Sequence, residues 1–238
     1  MHHPDLMQDR RTLLALLGGV FALSLAAPLR AAGLTGGLGG GLADLLGKAS
    51  DTSLDKLAQP GAFYADPSIR IALPLLGRTT GGIGGVLMSA LDTGQKLGIT
   101  DNVVRKLNDA AGLAAKEAKP VFHAAISRLS LSDMPGIATA RDGATQYLRK
   151  SAGDELKGKL RPLVDKGLLT VGAFRQLDRL AARSQLIAKA GITRDKLGSS
   201  VTDQALAGIF SYIGAEEGRL RDNPLGAAGG VLKGLLGN

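Results

Sequence analysis

The chain has no cysteine and no tryptophan, and only 3 histidines, 3 tyrosines and 5 phenylalanines among 238 residues. Without cysteine there is no disulfide, no thiol nucleophile, no iron–sulfur ligand and no acylated cysteine at a processed end. Stability must come from packing, which a chain of this length supplies through one core, or through one core plus a loosely attached segment. His2 and His3 stand at the N-terminus, which leaves His123 alone downstream. A zinc site built on several His or Cys, or a bis-His haem, cannot be assembled from that stock within one chain. A Ser–His–Asp triad would need His123, yet there is no G-x-S-x-G elbow. Within Pro120-Val121-Phe122-His123-Ala124-Ala125-Ile126, His123 reads as a helix residue flanking an apolar stripe. The aromatics are too scattered to stack bases and no run of five or six basic residues occurs, which argues against nucleic acid as a partner.

What is present begins at the N-terminus. Arg10-Arg11 precede an apolar run from Leu13 to Ala27, followed by Pro28, Leu29, Arg30, Ala31 and Ala32. The apolar centre is shorter than the roughly 20 residues that span a bilayer, and small residues follow it. This pattern predicts a cleavable export signal over residues 1–31. Asp9-Arg10-Arg11-Thr12-Leu13-Leu14 resembles a twin-arginine signal, with Asp9 where Ser or Thr is common and Ala15 where Lys is frequent. Arg30, just before the cut, favours that route over the general secretory one. The mature chain is expected to begin near Ala32, in the periplasm, with 26 Lys+Arg against 19 Asp+Glu, a net charge of about +7. That balance favours acidic partners such as anionic lipid or envelope polyanions.

Residues 32–41 are rich in Gly and read as a flexible leader, and residues 42–224 as one helical domain. Leu42, Leu45, Leu46, Leu54 and Leu57 partly fit helical spacing, which predicts one or two short helices before Pro60-Gly61. Phe63 to Pro74 is bounded by prolines and alternates Ile69, Ile71 and Leu73 with Arg70 and Ala72. This predicts an extended segment lying on a helical body, anchored by Phe63 and Tyr64. Between Leu75 and Gly98 a helical pattern is weakened by Gly81, Gly82, Gly84 and Gly85 at about 1 kcal/mol each. That glycine run is no phosphate loop, because it lacks the Gly-Lys-Ser/Thr ending and a preceding strand.

Thr100-Asp101 make an N-cap for a long helix whose stripe is Val104, Leu107, Ala111, Ala114, Ala118, Val121 or Phe122, Ala125 and Leu129, with Pro120 kinking or dividing it. A short helix is predicted from Ser132-Asp133, and another segment starts at Asp142. Leu156 to Leu168 continue the helical spacing to a break at Gly172. A helix through Phe174, Leu177 and Leu180 comes next, and a last one opens at Thr202-Asp203 and closes at Asn223-Pro224. Residues 225–238 form a Gly/Leu-rich tail whose weak amphipathic character would permit only slight membrane-surface contact. β-Strand signals are almost absent, so the fold class is all-α: a helical-bundle-like domain with an extended Pro-bounded segment and Gly-rich termini.

Glu216-Glu217, followed by Arg219 and Arg221, is the densest charged cluster. Adjacent helical residues point about 100° apart, so the two carboxylates do not enter one pocket easily. One could pair with Arg70 or Arg149 and fix the extended segment; an exposed face with a Glu217–Arg221 pair is the simpler reading. Thr145, Gln146, Tyr147, Arg149 and Lys150 mix hydroxyls with cations, which suits an anionic ligand or an ordinary amphipathic helix. A carboxylate metal site could draw on Asp203, Glu216 and Glu217, but no Ca²⁺-loop spacing is present.

With these segments in hand, the chain resembles the bacterial Domain of Unknown Function 4197 family. The matching stretches are Phe63 to Pro74, Ala115 to Ile126, Gly143 to Arg149, Arg161 to Asp165 with Val171-Gly172, Val201 to Phe210, and Glu216 to Pro224. The likeness spans most of Leu42 to Gly237 and implies an exported, mainly helical bacterial protein with a signal peptide or lipoprotein start. The chain departs by lacking a lipoprotein Cys and by its Gly-rich region from Gly77 to Gly94. The resemblance implies no reaction and no catalytic residues. The reading that results is a non-catalytic binding module without a cofactor, taking an envelope protein or an apolar or anionic ligand. Its functional face comprises Phe63, Tyr64, Arg70, Tyr147, Arg149, Glu216, Glu217 and Arg221. The competing reading is a hydrolase or metal-assisted enzyme using Asp203, Glu216 and Glu217, with His123 as base.

Overall fold

The computed structural model describes residues 32–74, 99–130, 137, 140–183 and 192–223. Two compact units divide the chain, residues 1–38 and 39–238. Of the first, only the helical backbone of residues 32–38 is described; the core and the candidate sites belong to the second. The described residues form seven helices: α1 (Ala32–Leu57), α2 (Ala62–Ala65), α3 (Ile99–Glu117), α4 (Lys119–Ile126), α5 (Gly143–Thr170), α6 (Ala173–Arg183) and α7 (Arg194–Asp222). No strand occurs among them, so the all-α class holds. The export signal, the Gly81 run, the short helix from Ser132 and the C-terminal tail lie outside the described residues.

α5 is the organising element. Its buried residues Ala144, Leu148, Ala152, Leu156, Leu160, Val164 and Leu168 recur at every fourth position. At 100° per residue each step of four advances the stripe by about 40°, so it winds about 240° around the helix from end to end. One helix can therefore bury apolar surface against several neighbours, and α5 packs on α3, α4, α6 and α7. It lies antiparallel to α7, since Thr145 meets Glu217 near one end and Arg161 meets Asp195 near the other. It is likewise antiparallel to α3, where Gly167 comes so close that an added Cβ would stand 2.6 Å from the Ala110 carbonyl oxygen.

Pro120 divides the predicted long helix. Proline lacks an N–H and is tolerated in a first turn, so α3 stops at Glu117 and α4 restarts with Pro120 at its second position. The buried stripe begins at Val103 rather than Val104 and runs through Leu107, Ala111, Ala114, Ala118, Phe122 and Ala125. Gly172, at φ 69°, makes the break before α6.

Three expectations are corrected. In place of one or two short helices over residues 42–57 there is one helix, α1, which also takes in the Gly-rich residues 32–41 expected as a leader. Leu46, Ala49, Leu54 and Leu57 anchor its C-terminal half in the core, and extending a helix that is already nucleated costs little. The segment from Phe63 to Pro74 opens with the helical turn α2, is extended at Asp66 and turns over residues 67–69, so only residues 70–73 run free of helix and turn. α7 begins not at Thr202 but at Arg194, where the Thr193 hydroxyl accepts the Lys196 N–H at 3.1 Å. Thr202 is buried in mid-helix and donates its hydroxyl to the Gly198 carbonyl at 2.7 Å, an alternative open to any helical threonine.

Candidate functional site

The segment over residues 70–73 has no neighbouring strand among the described residues, so its buried backbone needs other partners. Two side-chain amides supply them. Asn108 on α3 accepts the Ile71 N–H and donates to the Ile71 carbonyl, both at 2.9 Å. Gln204 on α7 accepts the Ala72 N–H at 2.9 Å and donates to its carbonyl at 3.0 Å. Ile69, Ile71 and Leu73 are thereby held inward. Phe63, expected as an anchor and as part of the functional face, is 1% exposed and anchors the segment without lining an open face. Gly208 makes room for it, since a Cβ there would stand 3.2 Å from both Phe63 and Ile69. Neither amide was singled out from the sequence; the only trace is a polar residue, Asn108, inside the apolar stripe of α3.

Tyr64 is half-buried, and its hydroxyl donates to Asp101. The guanidinium groups of Arg70 and Arg105 lie 4.7 and 4.1 Å from its ring centroid. Arg70 donates to the Tyr64 carbonyl at 2.6 Å and Arg105 to Asp101 at 2.8 Å. The Tyr64 hydroxyl, followed by Arg105, holds the Asp101 carboxyl below its ordinary range. Nearby, Asp66 accepts the Ser68 N–H and hydroxyl and the Tyr212 hydroxyl, and these bonds lower its pKa too. Both Tyr–Asp pairs tie the segment to the flanking helices.

Glu216 and Glu217 do not form an exposed face: they are 4% and 0% exposed. They point in different directions, as helical geometry requires. Glu216 accepts from Lys56 of α1 at 3.0 Å and from Arg219 at 2.5 Å. The Arg219 bonds, and after them Lys56, hold its carboxyl below the ordinary range against the opposing effect of burial. Glu217 reaches the start of α5, where Asp142 makes no side-chain cap. It accepts the Ala144 N–H at 3.0 Å, the Thr145 N–H at 2.8 Å and the Thr145 hydroxyl at 2.6 Å. It thus caps a helix other than its own. The predicted Glu217–Arg221 pair is present at 2.7 Å, and Arg221 also donates to the Ile137 carbonyl at 3.0 Å. Arg70 and Arg149 pair with neither glutamate. Two of the stretches that carry the family likeness, Gly143 to Arg149 and Glu216 to Pro224, meet at this clasp.

Arg149 stands elsewhere. Its guanidinium lies 5.1 Å from the centroid of Phe210, whose ring packs edge-on against Phe122 at 6.1 Å. Arg149 borders a cleft of about 250 Å³ between α5 and α7, lined also by Asp142, Thr145, Gln146, Ser211 and Gly214. The Asp142 carboxylate in that cleft accepts from Gln146 at 2.7 Å. Arg149 itself is exposed and has no carboxylate partner among the described residues. Tyr147 is two positions away, about 200° around the helix, and packs on the core instead of the cleft.

The proposed face therefore resolves into three places: the Tyr64–Arg70 cluster, the Glu216–Glu217–Arg221 clasp and the Arg149 cleft. The carboxylates of the enzymatic reading are scattered. Asp203 bonds Lys157 at 2.6 Å and lies about 20 Å along α7 from Glu216. His123 is on the surface of α4, paired with Asp51 at 2.8 Å. Among the described residues no three His, Cys, Asp or Glu are grouped to hold a metal ion. Comparison with known families matches residues 36–237 to the model described as "Protein of unknown function (DUF4197)". No curated protein and no solved structure matches the chain.

Proposed function

The chain belongs to the DUF4197 family, and we propose that it is an exported, non-catalytic binding module of the bacterial periplasm or cell envelope, whose α5–α7 cleft takes a ligand with an anionic group. The observation that carries this reading is the contrast between Arg149 and its neighbours. Arg141, Arg161, Arg219 and Arg221 each hold a carboxylate, whereas Arg149 rests on an aromatic face beside a cavity and has no carboxylate partner among the described residues. A guanidinium offers a planar fork of donors suited to carboxylate or phosphate. The Thr145 hydroxyl is committed to Glu217 and the Gln146 amide to Asp142, which leaves Ser211 to orient the rest of the ligand. The carboxylates of the predicted face serve as internal clasps, which supports binding over catalysis. Export is supported by Arg10-Arg11, the run from Leu13 to Ala27 and the small residues at Ala31 and Ala32.

The test is a thermal-shift series with inorganic phosphate, glycerol phosphate and citrate. A ligand that binds only the folded state raises Tm by mass action, by about 2–4 °C per kcal/mol for a chain of this size. At least one anion raises the Tm of the wild type and none raises that of Arg149→Glu. Equal responses, or none in the wild type, would overturn the reading.

A further inference from the structure

A second surface lies on the outer side of the α3–α5 pair. Lys106, Leu113 and Glu117 share one line of α3 by their spacing of seven and four. Lys159, Lys166 and Leu169 share a line of α5 by spacings of seven and three. Lys166 bonds Glu117 at 2.8 Å and Lys106 bonds the Val171 carbonyl at 2.6 Å, which makes the two lines neighbours. The large hydrophobic side chains left exposed among the described residues are Leu113 and Leu169, at 39% and 63%, and both belong to this face. Around them, Lys116 and Lys159 are exposed without an ion-pair partner among the described residues. Arg175 lays its guanidinium against Gly172, just past Leu169. The acidic groups here are Glu117, neutralised by Lys166, Glu155, one turn before Lys159 and paired with Arg128, and Asp109, which faces Arg105 one turn back.

We propose that this face docks on the surface of an anionic phospholipid bilayer. Exposed leucines ringed by basic side chains suit the boundary between acyl chains and headgroups, where apolar burial and attraction to anionic lipid act together. No described helix is long and apolar enough to cross a membrane, so the contact is lateral. The proposal is independent of the Arg149 cleft.

The experiment is co-sedimentation of the protein, purified as processed in its own cell envelope, with vesicles of phosphatidylglycerol and phosphatidylcholine or of phosphatidylcholine alone. Wild type sediments with the anionic vesicles at low salt and is released as salt rises. Leu113→Asp/Leu169→Asp weakens that binding at least tenfold, while the apolar replacement Leu113→Met/Leu169→Met leaves it within twofold. Circular dichroism confirms that each variant is folded, and Leu169→Asp alone, at the more exposed site, repeats the test if the double variant is not. Absence of wild-type binding, equal binding to neutral vesicles, or undiminished binding by the leucine variant overturns the proposal. So does a leucine variant that alters only the oligomeric state, since the face would then join two copies of the chain.

Discussion

Asn108 and Gln204 do for residues 71 and 72 what a neighbouring strand does in a sheet, and each covers both backbone groups of one residue. Removing such an amide leaves a buried N–H and C=O unsatisfied, at about 1–3 kcal/mol per group. Asn108→Ala, at a site 2% exposed, is predicted to lower unfolding free energy by about 2–4 kcal/mol in chemical denaturation. A loss under about 0.5 kcal/mol would mean that the segment is held by its apolar side chains alone. Glu217→Gln keeps the shape of the clasp but strips Arg221 of a buried counter-charge, and breaking such a pair costs about 3–5 kcal/mol. That loss should be visible in the same measurement. The spacing of Glu217 and Arg221 made their pairing legible in the sequence. Their burial was not, because the α5 N-terminus that receives Glu217 lies more than 70 residues away along the chain. Arg149 was legible only as a cation on an amphipathic helix; its isolation from carboxylates is a property of the assembled surface.

Elements announced themselves where backbone chemistry is local. Pro120 divides α3 from α4 and Gly172 divides α5 from α6, because a missing N–H and a positive φ act without tertiary help. The start of α7 was missed because threonine has two uses, as a cap at Thr193 and as a back-bonded interior residue at Thr202. α5 allows a test that separates propensity from packing within one helix. A Cβ at Gly153 meets nothing within 4 Å, whereas one at Gly167 meets the Ala110 carbonyl oxygen at 2.6 Å. Gly153→Ala is therefore predicted to stabilise by about 0.5–1 kcal/mol. Gly167→Ala is predicted to destabilise by about 1–3 kcal/mol as α3 is pushed away. Two thermal or denaturant curves decide it, and stabilisation by both changes would deny the close crossing.

For the whole molecule, the helical class followed from periodicity, and the absence of cysteine left packing as the source of stability. Which faces meet did not follow, since the drifting stripe of α5 can be matched to its partners only in three dimensions. The clasps also set the acid response. Glu216, Asp66 and Asp101 have folded-state pKa values below their ordinary 4.5, 3.8 and 3.8. Their contribution is thus complete above those values and lost as pH falls through the lowered ones. Tm should be level between about pH 7 and 5 and fall below about 4.5, with Glu216→Gln lower at neutral pH and flatter in acid; a variant with the wild-type acid slope would exonerate Glu216. The central claim is that Arg149 is free to meet a ligand while its neighbours are spent on the fold. Native mass spectrometry of the protein isolated from its own cell envelope addresses it most directly. The account predicts a reproducible extra mass on wild type that is absent from folded Arg149→Glu. A bare polypeptide for wild type, or the same extra mass on both, would contradict it.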